Sequence, residues 1–245
     1  IIQYNISPEK ILGESSHGVN VNKMIDMKVP LNYLKTEGAC LTPNGAKFKN
    51  DSQGFLPEMM EKMYNERVVF KQRMLKAKAE YQKTKDPKLV KEIARCHNIQ
   101  WSKKIALNSA YGAVGNQYFR YYDVRQAAGI TTAGQFIIRF VENHMNKYLN
   151  NILKTDNEDY VVASDTDSIY VRLDKLVDAT CQGKTDDQIV DFLNKVCEQK
   201  FEPEIEKWFT ELADYSNAFK NAMVMKREVI ANKGIWIAKK RYMLN

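Results

Sequence analysis

The tripeptide Lys85-Asp86-Pro87 separates two long stretches whose apolar residues recur at helical spacing, and that separation constrains the chain more than any other feature. Before it, Met60, Met63, Tyr64, Val68, Phe70, Met74, Leu75 and Tyr81 keep the helical period behind Pro57, a residue suited to a first turn. After it, a second helical pattern runs from Leu89 to about Tyr111. Two helices joined by so short a breaker predict an antiparallel hairpin. If the hairpin folds at Pro87, Arg67 and Asn108 lie 20 and 21 residues from the fold, and Lys71 and Lys104 lie 16 and 17. Each pair is then expected at one level, the lysines about 24 Å from the tip at about 1.5 Å per residue. Within each helix the spacing of four puts both residues on one face, and Lys104, Asn108 and Tyr111 form one stripe. Arginine, two lysines and asparagine converging on one patch suit a triphosphate, through forked donors and point charges. A lysine-rich hairpin in chance register is the bland alternative.

Charge sharpens this expectation without deciding it. The chain carries a net charge of +7, and the segment from Pro57 to Gly112 holds 13 Lys and Arg against six acids, a surplus of seven that accounts for the whole excess. Such a concentration points to a polyphosphate partner, nucleic acid or a nucleotide tail; a solubilising helix face is the competing reading. Hydrophobic content of 44% with 27% charged residues is that of an ordinary globular protein, and 245 residues can bury a core as one domain or two. No apolar run approaches the roughly 20 residues of a membrane span, so no membrane partner is expected and the chain reads as cytoplasmic. Cys40, Cys96, Cys181 and Cys197 are scattered, which predicts buried free thiols rather than a zinc site or disulfides. His17, His97 and His144 are equally isolated.

Ser164-Asp165-Thr166-Asp167-Ser168 lies between the apolar runs Tyr160 to Ala163 and Ile169 to Val171. Asp and Thr are turn formers between strands here, so a tight hairpin is expected, with two carboxylates two residues apart. Mg²⁺ takes hard oxygen ligands, commonly one or two carboxylates plus substrate phosphates, which makes the turn a candidate half of a metal site. On its own the pentapeptide fits a solvated turn equally well. Elsewhere, Pro43-Asn44-Gly45 predicts a hairpin between Ala39 to Leu41 and Ala46 to Phe48. Phe136 to Leu149 reads as an amphipathic helix, and Asp187 to Leu212 as a helical region interrupted near Pro203. Met223 to Val229 and Gly234 to Leu244 read as strands, the latter carrying Lys239-Lys240-Arg241-Tyr242. The fold expected is one α+β body with a projecting helical hairpin.

Taken together these residues resemble family B DNA polymerases. Lys104-Ile105-Ala106-Leu107-Asn108-Ser109-Ala110-Tyr111-Gly112 resembles that family's fingers motif, Asp165-Thr166-Asp167-Ser168 its palm metal motif, and Lys240-Arg241-Tyr242 its primer-strand motif, all in the family's order. Asn5-Ile6-Ser7-Pro8-Glu9 is similar to the tail of the first palm motif, and Arg120-Tyr121-Tyr122-Asp123 is a further match. The likeness is strongest to replicative polymerases of T-even-like tailed phages. It implies an antiparallel palm sheet with packed helices and a two-helix fingers hairpin: palm over 1–56, fingers over 57–115, palm again over 116–245. It implies DNA-directed DNA polymerase activity. Asp167 would be a ligand shared by two Mg²⁺ ions, with Asp165 and Glu228 supporting it as acidic groups and Asp165 as a second metal-site residue. Arg67, Lys71, Lys104 and Asn108 would hold the phosphates of a dNTP, Tyr111 would lie beneath the nascent base pair, and Gly112 would let the backbone approach DNA. Lys240, Arg241 and Tyr242 would follow the primer strand.

The chain departs from the pattern in two places. Ala163-Ser164 stands where the family has Tyr-Gly before its Asp-Thr-Asp. The first palm motif's metal-binding aspartate is expected just upstream of Ile1, and a chain that opens on Ile1 and stops within an expected strand reads as cut at both ends. The partners implied are primer-template DNA, dNTP, the amino-terminal exonuclease and thumb segments in cis or in trans, and a sliding clamp, in the cytoplasm of an infected host cell. This piece alone is expected to be inactive. The alternatives are one subunit of a split polymerase and a non-catalytic nucleic-acid-binding or assembly module; a P-loop hydrolase is disfavoured because no GxxxxGK[ST] occurs.

Overall fold

The computed structural model of the chain describes residues 1–15, 17–238 and 240–245. In chain order the elements are β1 (Ile11–Glu14), α1 (Val21–Ile25), α2 (Tyr33–Glu37), β2 (Ala39–Leu41), β3 (Ala46–Lys49), α3 (Phe55–Thr84), α4 (Pro87–Val114) and α5 (Val124–Leu153). They continue with β4 (Val161–Asp165), β5 (Ser168–Val171), α6 (Asp174–Thr180), α7 (Asp186–Val196), α8 (Glu202–Tyr215), β6 (Gly234–Ala238) and β7 (Arg241–Leu244). The fold is α+β as expected. Its strands all pair antiparallel and are distributed over three small sheets, β1-β3-β2, β4-β5 and β6-β7. The chain forms two compact units, each built around its own core.

The first unit comprises Ile1–Asn20, Pro30–Thr132 and Ser216–Lys220. Its sheet forms where expected, because Pro43-Asn44-Gly45 closes a hairpin in which Thr42 N–H donates to Ala46 O at 2.9 Å and Gly45 N–H to Thr42 O at 2.8 Å. Gly45 has φ of +91°, which a side chain would strain. Tyr4, Ile6, Leu34, Leu41 and Phe48 are fully buried in this core.

The helical hairpin stands on that base, and the Asn5 to Glu9 segment attaches it. The first N–H groups of a helix lack internal partners. Here Phe55 N–H donates to Glu9 Oε1 at 2.8 Å, Leu56 N–H to Ser7 Oγ at 3.3 Å, and Gly54 N–H to Asn5 Oδ1 at 2.7 Å. Burial pushes the Glu9 carboxyl up, but the hydrogen bonds from Ser7 and Phe55 outweigh it and hold the group below its ordinary value. Asn5 in turn donates to Lys49 O and Ser52 O, tying the helix start to the sheet.

The hairpin turn closes at Lys85-Asp86, ahead of the fold point at Pro87 that the sequence suggests. Lys85 takes the left-handed conformation at φ +54° as the α3 C-cap, Asp86 caps α4 by accepting from Lys88 N–H at 2.9 Å, and Pro87 opens α4. Met74, Ala77, Cys96 and Gln100 are buried along the hairpin, and Leu56, Met60 and Val114 form a core at its base with Leu107 and Ala110.

The second unit comprises Val21–Val29, Ala133–Tyr215 and Asn221–Asn245. Phe136, Phe140, Met145 and Leu149 form the fully buried stripe of α5, and Leu212 of α8 is equally enclosed. The His144 ring sits against Phe140 and Trp208, with centroids 4.0 and 5.5 Å away. A capping box of Thr185 and Gln188 starts α7. The interruption expected near Pro203 takes another form. The chain stays helical through a π-helical turn, Cys197–Phe201, and Pro203 falls in the first turn of α8, where its missing N–H costs little.

Two strand expectations change. Residues 221–233, which include the expected strand Met223 to Val229, contain neither helix nor strand. Gly234 to Leu244 is a hairpin rather than one strand, because the chain reverses before Arg241 with Lys240 at φ +62°. Lys239 lies outside the described residues.

Candidate active site

In the second unit, Asp165 ends β4 and pairs in register with Ser168 at the start of β5, leaving Thr166 and Asp167 as the turn. Thr166 has φ of +54°, a costly conformation for a β-branched residue and one that concentrates at functional sites. Asp167 N–H closes the turn onto Asp165 O at 2.6 Å, Thr166 Oγ1 donates to Asp165 Oδ1 at 3.0 Å, and Ser168 Oγ donates to Asp165 O at 3.2 Å. Asp165 is half-buried and Asp167 exposed, its carboxylate making no hydrogen bond or ion pair among the described residues. The turn thus aims one restrained and one open carboxylate outward.

The β6-β7 hairpin brings the Lys240 ammonium 3.9 Å from Asp165 Oδ1. Tyr170 of β5 packs edge-on against Trp236 and Tyr242, with centroids 5.4 and 5.1 Å away, so three rings brace the two hairpins. The Tyr242 hydroxyl is pushed above its ordinary value first by its hydrogen bond to Tyr170, with smaller contributions from burial and the carboxylates of Asp165 and Glu228. Glu228 lies in irregular chain, its backbone carbonyl accepting from Arg227 Nη1. Arg241 is exposed on the same hairpin. The aromatic brace escaped sequence reasoning, which had read Gly234 to Leu244 as a single strand.

Two carboxylates at a fixed turn fit part of the oxygen shell of a divalent cation. Among the described residues no group of three or more His, Cys, Asp or Glu is placed to hold an ion. The remaining ligands of any metal on this turn would come from substrate, water or another segment.

In the first unit, α3 and α4 carry Arg67, Lys71, Lys104, Asn108, Tyr111 and Gly112, and their register corrects the expectation. Leu56, Met60 and Val114 share one core with Leu107 and Ala110 packed against it, and Glu66 forms an ion pair with Lys103, while Arg73 pairs with Glu92 nearer the tip. On this register Arg67 is level with Lys104, not with Asn108. Lys71 lies one turn nearer the tip and Asn108 one turn nearer the base, so the four groups spread over about 12 Å rather than two matched levels. The cause is the early turn at Lys85-Asp86. Among the described residues Lys71, Lys104 and Asn108 are exposed and form no side-chain ion pair or hydrogen bond, while Arg67 is half-buried with its Nε enclosed and unpartnered. Tyr111 is 42% exposed and Gly112 has nothing within 4 Å of an added Cβ, so both leave the surface open to a ligand.

Arg120-Tyr121-Tyr122-Asp123 joins the hairpin to α5. Asp123 accepts from Arg125 N–H and its guanidinium at the helix start, and the hydrogen bond from that guanidinium, ahead of any other influence, holds the carboxyl below its ordinary value. The Tyr121 ring packs against Phe55, 5.5 Å away, at the foot of α3.

The family model described as DNA polymerase family B matches residues 1–216, and the chain belongs to that family. It is 33% identical over 296 aligned residues to the DNA-directed DNA polymerase of Escherichia phage RB69, covering 100% of this chain and 32% of that protein. It is 32% identical over 297 residues to the DNA-directed DNA polymerase of Enterobacteria phage T4, with coverage of 100% and 32%. A solved family B DNA polymerase from the hyperthermophilic archaeon Pyrobaculum calidifontis is similar over 81% of this chain and 20% of that one, at 23% identity and a TM-score of 0.45. The chain spans about a third of the length of the phage relatives it matches.

Proposed function

We propose that this chain forms the fingers and most of the palm of a phage-type replicative DNA polymerase, with palm over 1–56, fingers over 57–115 and palm over 116–245. The reaction is attack of a primer 3′-hydroxyl on the α-phosphorus of a dNTP, forming the new phosphodiester bond as pyrophosphate leaves. The observation that carries the reading is the Asp165 to Asp167 turn with Lys240 and Tyr242 beside it. Cationic and acidic groups there serve opposite needs of one reaction, the first for the primer backbone and the second for the reacting phosphate.

Asp167 and Asp165 would hold two Mg²⁺ ions together with an aspartate from outside the chain, and the bound ions would neutralise charge developing on the phosphoryl oxygens. Glu228 supports the acidic side of the turn. Lys71, Lys104, Arg67 and Asn108 hold the dNTP phosphates, a role favoured by the exposure of Lys71, Lys104 and Asn108 and by the absence, among the described residues, of ion pairs to the two lysines. Tyr111 supports the nascent base pair and Gly112 admits the template-side backbone. Lys240, Arg241 and Tyr242 follow primer phosphates without reading sequence. Primer-template DNA and dNTP are the substrates, and the amino-terminal and thumb segments complete the enzyme.

Both carboxylates of the turn lie on one side of any shared ion, so this chain alone makes no product, and a segment supplying the opposing aspartate restores activity. Primer extension with Mg²⁺ and dNTPs, with and without such a segment fused or added in trans, tests this. Extension that appears on addition and disappears with Asp167→Asn supports the reading; extension by the chain alone overturns the metal-site assignment.

A further inference from the structure

We propose that the exposed side of α4 carries a stacking shelf for single-stranded nucleic acid, formed by Trp101 and His97. Both residues continue the stripe of Lys104, Asn108 and Tyr111 toward the hairpin tip at steps of three and four. The His97 and Trp101 ring planes lie within 9° of parallel with centroids 6.2 Å apart, and Lys104 Nζ stands 5.2 Å from the Trp101 ring centre. The side of α4 that packs against α3 is occupied by Cys96, Gln100, Leu107 and Ala110, so the indole is turned away from the hairpin interior. Trp101 is left 49% exposed, and the hairpin's own packing gives no reason for an indole there.

The surrounding charge selects the occupant. Of the 13 Lys and Arg between Pro57 and Gly112, only Arg73, Arg95 and Lys103 form ion pairs, leaving ten unpaired among the described residues. Of the six acids in the segment, Glu66 pairs with Lys103, Glu92 with Arg73 and Arg95, and Glu61 with Lys220, while Asp86 caps α4, so only Glu58 and Glu80 are left to offset the ten. An apolar protein partner would have to bury those lysines beside the indole. A single strand meets both demands, offering a base face to the rings and phosphates to the lysines, whereas a duplex keeps its base faces stacked inside. The shelf lies beyond the nucleotide patch, and its occupancy requires no polymerisation.

The test is anisotropy titration of the 245-residue chain with a labelled oligothymidylate and with an abasic strand of equal length. Trp101→Ala should weaken oligothymidylate binding roughly 5- to 100-fold, the range expected for loss of one stacked base. Trp101→Phe should restore most of that loss. The abasic strand should bind wild type and Trp101→Ala alike, and the salt dependence should be the same for both proteins because no phosphate contact is removed. Equal oligothymidylate affinity for wild type and Trp101→Ala overturns the proposal, as does an equal loss on the abasic strand. Neither result bears on primer extension, so the polymerase reading stands or falls separately.

Discussion

The Lys240 ammonium lies 3.9 Å from Asp165 Oδ1, bridging the turn of one β-hairpin to the turn of another. Their side chains are 64% and 34% exposed, so solvent screens the pair and it adds little to stability. The lysine is held near the acidic turn yet free to exchange its partner for a phosphate.

Lys240→Ala should therefore change stability by less than about 0.5 kcal/mol while weakening primer-template binding by the completed enzyme. The slope of log affinity against log salt should become shallower by about one, the signature of one lost phosphate contact. An unchanged salt slope would remove Lys240 from the primer track.

Lys104→Ala and Lys71→Ala in the completed enzyme should each raise the dNTP KM by about one to two decades, since a charged hydrogen bond is worth roughly 1.5–3 kcal/mol. Glu66→Gln, which removes only the ion pair to Lys103, should leave KM within about twofold. Steady-state kinetics at fixed primer-template separates the two outcomes.

Gly54 precedes α3 in a space that admits no side chain: an added Cβ would lie 2.6 Å from Ser7 Cβ and 2.9 Å from Ser7 Oγ. Gly54→Ala should destabilise the first unit by about 1–3 kcal/mol, read as a lower urea midpoint with an unchanged slope. Ser7→Gly in the same background should recover part of the loss.

Cys40 donates its thiol to Tyr4 O at 2.9 Å inside the first core, and burial pushes the thiol up from 9.0 to about 12 and the Tyr4 hydroxyl up as well. Both groups are neutral in the fold and ionise more readily once unfolded. Their contribution is complete below pH 9 and is lost as pH rises from there toward 12. Melting temperature should fall steadily between pH 9 and pH 11, and Cys40→Ala should flatten part of that fall.

The long helices, the 39–48 hairpin and the acidic turn were legible because each is set by local chemistry: helical period, Pro-Asn-Gly, and Asp-Thr-Asp between apolar runs. The register of α3 against α4 was not, because Lys85 enters the left-handed region without a glycine to announce it. The same reason hid the β6-β7 turn, where Lys240 has positive φ. Val224 and Val229 have strand-like composition but no partner strand, and remain 78% and 62% exposed, which no local pattern reveals. The exposure of the Trp101 indole follows from which side of α4 packs inward, which helical spacing alone does not specify.

The cap that Asn5, Ser7 and Glu9 place on α3 also makes that helix a lever. Its 30 residues reach about 45 Å from a fulcrum at Gly54, so a rotation there of about 10° swings the far end through about 8 Å. Such a rotation would displace the arm's cations without any change within either helix. A small adjustment of the three hydrogen bonds at its root would be amplified along the arm's whole length.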